Sequence, residues 1–104
     1  MQEFAVERLE VAASPVRRMR GLLGRRGLGP GEGLLLRPAG SVHTAFMRFP
    51  IDVVFLDREQ QVLKVVEALP PWRAAGCRGA RAVVELASGE ASRAGIRPGM
   101  RLSA

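Results

Sequence analysis

The sequence predicts a single α+β domain, residues 1–104, that consists mainly of β-strands. Three features indicate this class: an apolar run after Pro50, several strand-length segments that end at proline or glycine, and one short segment whose apolar residues have helical spacing. The chain is long enough for one hydrophobic core of moderate size.

The apolar run Ile51–Asp57 predicts the central strand of the sheet. Pro50 separates it from the extended or irregular segment Ser41–Phe49, because proline lacks an N–H and disfavours helix in the residue before it. Successive side chains of a strand point to opposite faces, and both faces of this run are apolar except at Asp52. Such a strand is covered on both sides. An ionised Asp52 therefore needs donors, and we expect an Arg of the Arg20–Arg25 region or several backbone N–H groups.

Further strands are predicted from short apolar stretches bounded by turn residues. They are Phe4–Val11, Leu34–Leu36, Gln61–Leu69, Ala82–Ala87 and Met100–Leu102. Alternation along these strands places Glu67 and Glu85 on faces that they share with apolar neighbours. The segment Trp72–Gly79 is predicted to be a loop, since its structural signals are weak.

Two short helices are predicted. The segment Ser14–Leu23 begins with an N-cap serine followed by proline, spaces its apolar residues as an amphipathic helix does, and is ended by Gly24. Arg20 lies at the edge of the apolar stripe, where its stem can pack while its guanidinium reaches a carboxylate. A second helical turn is predicted to begin at a Ser88 cap and to run through Arg93.

The charge of the chain bears on possible partners. The net charge is +6, and a basic surface can attract nucleic acid or anionic lipid. However, the arginines are spread along the chain, and the basic run Arg17–Arg26 contains no aromatic residue on which a base could stack. The sequence therefore argues against a nucleic-acid partner.

Composition also indicates a compartment. No apolar stretch reaches the roughly 18–20 residues that span a bilayer, so no transmembrane segment is expected. The N-terminus lacks the basic and then apolar pattern of a signal peptide. The only cysteine, Cys77, excludes an internal disulfide and a cysteine-based metal cluster. A cytoplasmic location is expected.

Four stretches, taken in order, resemble one known family. They are Arg18–Arg25, Gly33–Leu36, His43 through Asp57, and Val84 through Gly99. The chain resembles the bacterial and archaeal family called domain of unknown function 192 over most of its length. The resemblance implies a compact, β-rich, sandwich-like fold, and it implies no established activity. Residues and resemblance together predict a compact sandwich-like or barrel-like sheet with one or two short helices.

Six polar residues within or beside these motifs are candidates for a ligand-binding site. They are Arg20, Arg25, His43, Thr44, Asp52 and Glu85. In a structural interpretation, Arg20 or Arg25 and backbone N–H groups partner the two carboxylates and fix the register of the sheet. In a binding interpretation, His43 and an arginine lie at the mouth of a pocket for an anion, a peptide end or another ligand. In a third, His43, Asp52 and Glu85 form a metal or catalytic site, since two carboxylates and an imidazole can ligate a metal.

The sequence favours a non-catalytic ligand-binding or accessory module that serves an unknown small ligand or protein. The alternative is a small hydrolase or metal-dependent enzyme. A lone histidine without a spaced second ligand is more often structural, and no Ser–His–Asp or Cys–His signature occurs. We expect no cofactor and no bound metal, and no residue pattern indicates an oligomeric state.

Overall fold

A computed structural model describes residues 2–12, 28–45 and 47–103. The elements in chain order are β1 (Glu3–Phe4), β2 (Arg8–Ala12), β3 (Glu32–Leu36), β4 (Ser41–His43), β5 (Ile51–Leu56), β6 (Val62–Leu69), β7 (Ala74–Gly76), β8 (Ala82–Ala87), α1 (Glu90–Arg93) and β9 (Arg101–Leu102). The predicted class, mainly β with a short helix, is confirmed. The predicted helix Ser14–Leu23 lies outside the described residues.

Five strands form the main sheet in the order β2-β3-β8-β5-β6. β2 and β3 are parallel, and the other neighbouring pairs are antiparallel. β5 lies between β8 and β6 and is buried at every position, which confirms the prediction of an interior strand covered on both faces, although β8 is the middle strand of the five. Two small sheets accompany it: β1 pairs with β9 in parallel, and β4 pairs with β7 in antiparallel.

Each face of the main sheet carries a hydrophobic cluster. The first face is the one to which Val54 and Leu56 point, and β1, β9 and α1 cover it. The second face is the one to which Val53 and Phe55 point, and β4 covers it together with Met47. Covering layers on both sides give the sandwich-like arrangement that the apolar pattern of β5 requires.

Two register shifts between β5 and β6 interrupt the alternation of β6. The pairs are Leu56 with Val62, Phe55 with Lys64, Val53 with Val66, and Ile51 with Leu69. Each shift inserts an extra residue into β6, as in a β-bulge, and reverses the face of the residues that follow. Leu63 and Glu67 are therefore exposed, and the prediction that Glu67 shares an apolar face is wrong.

Pairing with distant segments explains two further differences. The predicted strand Phe4–Val11 is two strands, because Phe4 pairs with Leu102 whereas β2 pairs with β3. The predicted loop Trp72–Gly79 contains β7, which the partner strand β4 holds in place. Among the described residues, no helix is long and apolar enough to cross a bilayer.

Candidate functional site

Asp52 is fully buried on the first face of the sheet, and backbone groups satisfy its carboxylate. Oδ1 accepts a hydrogen bond from the N–H of Ala68 at 2.8 Å. Oδ2 accepts one from Gly89 at 3.0 Å and one from Ala91 at 2.9 Å. Several backbone donors were one of the two expected solutions for this residue, and they offset the lost hydration of a buried charge.

The local fold supplies these three donors to Asp52. The register shift opposite Asp52 leaves the N–H of Ala68 outside the ladder, and Ala68 has φ 51°. Ala91 lies in the first turn of α1, where N–H groups have no partner within the helix. The prediction that Ser88 caps this helix is wrong, because the N-cap is Gly89 and no local side chain bonds the first turn. The carboxylate of Asp52, on β5, accepts the hydrogen bond from this first turn instead. Asp52 thereby links β5 to β6 and to α1.

Glu85 occupies the second face at the middle of the main sheet, where Leu34 and Val53 are its cross-strand neighbours. The residue is 5% exposed. Burial raises the pKa of the Glu85 carboxyl from 4.5 to about 7. Glu85 therefore differs from Asp52: within residues 2–12, 28–45 and 47–103, nothing neutralises its carboxyl.

The two carboxyl groups do not share a site. Asp52 pairs with Leu86 and Val53 pairs with Glu85, so Asp52 and Glu85 point to opposite faces of the sheet. His43 is exposed on the separate β4–β7 sheet. The structure does not assemble His43, Asp52 and Glu85 into one site, and no metal-binding group of three such side chains occurs in the described part of the chain.

Thr44 is fully buried and holds the turn that follows β6. Its hydroxyl donates to the carbonyl of Pro70 at 2.6 Å and accepts from the N–H of Arg73 at 2.8 Å. Its backbone N–H donates to Arg73 at 2.8 Å, and its carbonyl accepts from Trp72 at 2.9 Å. Thr44 is thus a clamp on the turn Pro70–Arg73, and its hydroxyl is engaged within the fold.

The turn held by Thr44 positions Trp72, a residue that no sequence motif marks as functional. Trp72 is 59% exposed and has φ 63°, an uncommon conformation for a bulky residue. Exposed His43 lies at the same end of the β4–β7 ladder, and its Nδ1 accepts a long bond from Ala45 at 3.4 Å. The Pro-Pro-Trp sequence indicates a turn, but neither the exposure nor the backbone angle follows from it.

The Thr44 clamp leads to a first testable expectation. Thr44→Val keeps the shape but leaves the N–H of Arg73 and the carbonyl of Pro70 without the hydroxyl, and we expect a loss of about 1–3 kcal/mol of unfolding free energy. Thr44→Ser keeps the hydroxyl and serves as the control. Urea unfolding, followed by the fluorescence of the single tryptophan and by circular dichroism, measures both. Equal stability of the valine and serine variants would contradict the clamp.

Arg20 and Arg25 lie outside the described residues, so their predicted contact with the carboxylates stays a prediction. Of the six candidates, four are placed by the structure. Asp52 and Thr44 are engaged within the fold, whereas Glu85 is buried without a described partner and His43 is exposed.

Comparison with known proteins identifies the family. A family model described as DUF192, Uncharacterized ACR, matches residues 2–104. The chain belongs to the DUF192 family. The resemblance based on the four sequence stretches is confirmed, and a comparison with curated proteins gives no match.

Two solved structures share the fold of this DUF192 chain. One is a protein of unknown function from Novosphingobium aromaticivorans DSM 12444, with a TM-score of 0.79 and 26% identity over 88% of this chain and 70% of that one. The other is a protein of Sinorhizobium meliloti 1021 described as a candidate transcription regulator, with a TM-score of 0.80 and 26% identity over 88% of this chain and 76% of that one. The family is uncharacterised, and neither description names a catalytic activity.

Proposed function

We propose that this DUF192 domain is a non-catalytic ligand-binding module and that Glu85 is the polar group that contacts the ligand. The supporting observation is Glu85, a residue only 5% exposed in the middle of the second face, whose carboxyl has no donor or cation among the described residues. Buried carboxyl groups are normally hydrogen-bonded or paired, as Asp52 is in the same sheet. A partner from outside the described residues completes such a site.

The chemistry of the partner follows from the surroundings of Glu85. Leu34 and Val53 beside it favour an apolar body, whereas the carboxyl favours a cationic nitrogen. The proposed ligand is therefore a small molecule or peptide end that carries an amine or a guanidinium on an apolar group. An ionised Glu85 without this ligand destabilises the fold, and groups that lower stability in this way are typical of functional sites.

The pH dependence of stability tests the state of Glu85. The pKa of the folded protein is about 7 whereas the ordinary value is 4.5, so between these values the folded state keeps a proton that the unfolded state has lost. Stability is therefore highest below about pH 4.5 and falls until about pH 7, by about 3 kcal/mol through this group. Glu85→Gln should remove that fall and be more stable than the wild type at neutral and higher pH.

Glu67→Gln is the matched control, because Glu67 is an exposed glutamate on β6 and should leave the pH profile unchanged. Urea unfolding of the three proteins across this pH range gives the comparison. A Glu85→Gln variant that is less stable than the wild type above pH 7 would mean that Glu85 is ion-paired. Arg20 or Arg25 would then be its partner, as in the structural interpretation, and the proposed role of Glu85 would fail.

Binding itself is tested with a simple probe. Phenylalanine amide offers an amine on an apolar body, and its N-acetyl form lacks the cation. With glutamate labelled on the side-chain carbonyl carbon, we expect phenylalanine amide to shift the Glu85 resonance and to lower the pKa of Glu85, whereas the acetylated form does neither. An unchanged Glu85 titration with phenylalanine amide at millimolar concentration would count against a cationic ligand.

The proposal includes a small ligand or protein as partner and a cytoplasmic location. The support for the location is composition, since the single cysteine, Cys77, is a free thiol and disulfides are rare in reducing compartments. Fractionation of cells, followed by immunodetection of the untagged chain, tests it. Recovery with the membrane or the periplasm would contradict it.

A further inference from the structure

Four arginines that are far apart in the sequence line one cavity of about 520 Å³. They are Arg37, Arg58, Arg81 and Arg101. The cavity lies at one end of the main sheet, where β3 and β5 end and β8 begins, and β9 contributes the fourth arginine. These four arginines are spread along the sequence, but strand pairing brings them together here.

Backbone contacts fix the positions from which these side chains extend. The N–H of Arg81 donates to Leu56 at 2.8 Å, and its carbonyl accepts from Ala39 at 3.0 Å. The guanidinium of Arg37 donates from Nη2 to the amide oxygen of Gln60 at 3.0 Å, with that amide oriented so that its nitrogen donates to a carbonyl of β9. The arginines therefore extend from paired strands and a hydrogen-bonded hairpin, which gives the cavity a preformed character.

Two carboxylates, Asp57 and Glu59, also line the cavity, so its net charge is positive. Oδ1 of Asp57 accepts from the N–H groups of Glu59 and Gln61, both at 2.9 Å, and is thus engaged in the hairpin turn. The ion pair between Arg93 and Glu90 lies outside this cavity. Among the described residues, no ion pair joins any of the four guanidinium groups to a carboxylate.

We propose that this cavity binds a small organic phosphate, independently of the site proposed at Glu85. Guanidinium groups present planar pairs of donors that match phosphate oxygens, and several of them can surround one phosphate. Asp57 and Glu59 at the border can accept hydrogen bonds from hydroxyl groups on the rest of the ligand. A phosphorylated sugar has both parts.

The carboxylates of Asp57 and Glu59 also argue against nucleic acid as the ligand of this cavity. Carboxylates repel a continuous phosphate backbone, and among the described residues no aromatic side chain that could stack on a base lines the cavity. A compact ligand with one phosphate group fits a cavity of about 520 Å³, whereas a long polyanion would pass over it.

Titration calorimetry at low salt with ribose 5-phosphate as the probe tests the cavity. We expect millimolar or tighter binding, weakened by about tenfold or more in the double variant Arg81→Gln/Arg101→Gln, because two charged hydrogen-bond donors are lost. The control Arg48→Gln/Arg78→Gln removes the same charge from exposed positions outside the cavity and should change affinity by less than about twofold. Glu85→Gln should leave this binding unchanged.

Three results would overturn the proposal. No binding of ribose 5-phosphate at millimolar concentration would remove the site, and equal weakening in both double variants would reduce it to general electrostatic attraction. Tighter binding of a short single-stranded DNA, with a steep dependence on salt, would assign the surface to nucleic acid instead. If Arg81→Gln/Arg101→Gln does not fold, the hairpin variant Arg58→Gln replaces it, with Arg78→Gln as its control.

Discussion

Replacement of Phe55 by alanine is expected to lower the free energy of unfolding by about 3–5 kcal/mol. Phe55 is fully inaccessible and is the largest of the fully buried side chains in the described part of the chain. It lies on β5 between Val83 of β8 and Lys64 of β6, and Nζ of Lys64 is 5.8 Å from the centre of the ring. Strands on both sides limit how far the structure can close over the space left by the ring, so most of the cavity should remain.

Phe49→Ala is the matched control for this prediction. Phe49 is only partly buried and packs against the same cluster from its border, so the same change should remove less buried area and lower stability by about 1–2 kcal/mol. Urea denaturation followed by circular dichroism measures both variants. Because small domains have about 5–15 kcal/mol in total, Phe55→Ala should be partly unfolded near physiological temperature. Equal losses in the two variants would show that β5 is not the energetic centre of the domain.

The central strand could be predicted because its signal is local. Six consecutive buried positions on Ile51–Leu56 require two apolar faces, and the sequence displays them directly. Ala82–Ala87 is a second such case, with the predicted bounds confirmed. In both strands the pattern of neighbouring residues alone determines the element, whatever the rest of the chain does.

The elements that the sequence did not predict depend on distant partners. The bulges of β6 exist only because β5 pairs with it in a shifted register, and they expose Glu67. β7 forms because it pairs with β4 and because the N–H of Thr44, next to β4, donates to the carbonyl of Arg73, next to β7. The residues of Trp72–Gly79 have weak strand signals of their own. The arginine cavity has the same origin, since its lining comes from four separate parts of the chain.

The sequence predicts that a buried Asp52 needs hydrogen-bond donors, but it does not predict which groups donate or how the candidate residues are arranged in space. A carboxylate at Asp52 had to find donors, and it did so, but their identity depends on a bulge and on a helix N-terminus that no local pattern marks. The placement of Glu85 on an apolar face followed from simple alternation. The sequence does not show whether Asp52, Glu85 and His43 meet, because that depends on strand register and on which sheet each strand joins. In the structure, Asp52 and Glu85 point to opposite faces of the main sheet and His43 lies on the β4–β7 sheet.

Replacement of Asp52 by asparagine is expected to lower the free energy of unfolding by about 3–4 kcal/mol, because three charge-assisted hydrogen bonds are affected at once. The asparagine amide has one acceptor oxygen and one NH₂ group. When its oxygen faces the two donors of α1, its nitrogen faces the N–H of Ala68, and two donors then oppose each other in a buried site. Either orientation leaves at least one N–H without an acceptor.

Asp57→Asn is the matched control, since Asp57 also accepts two backbone N–H bonds but lies in the partly exposed β5–β6 hairpin, where water can replace a lost acceptor. We expect a loss of about 1 kcal/mol or less there. Hydrogen exchange gives a sharper readout than melting, because the N–H of Ala68 should exchange faster in Asp52→Asn than in the wild type. The change should be larger at Ala68 than at Ala91 if the asparagine oxygen turns toward α1. Unchanged stability and unchanged exchange at all three donors would show that Asp52 does not hold β5, β6 and α1 together, and Asp52 would then return to the list of candidate ligand-binding residues.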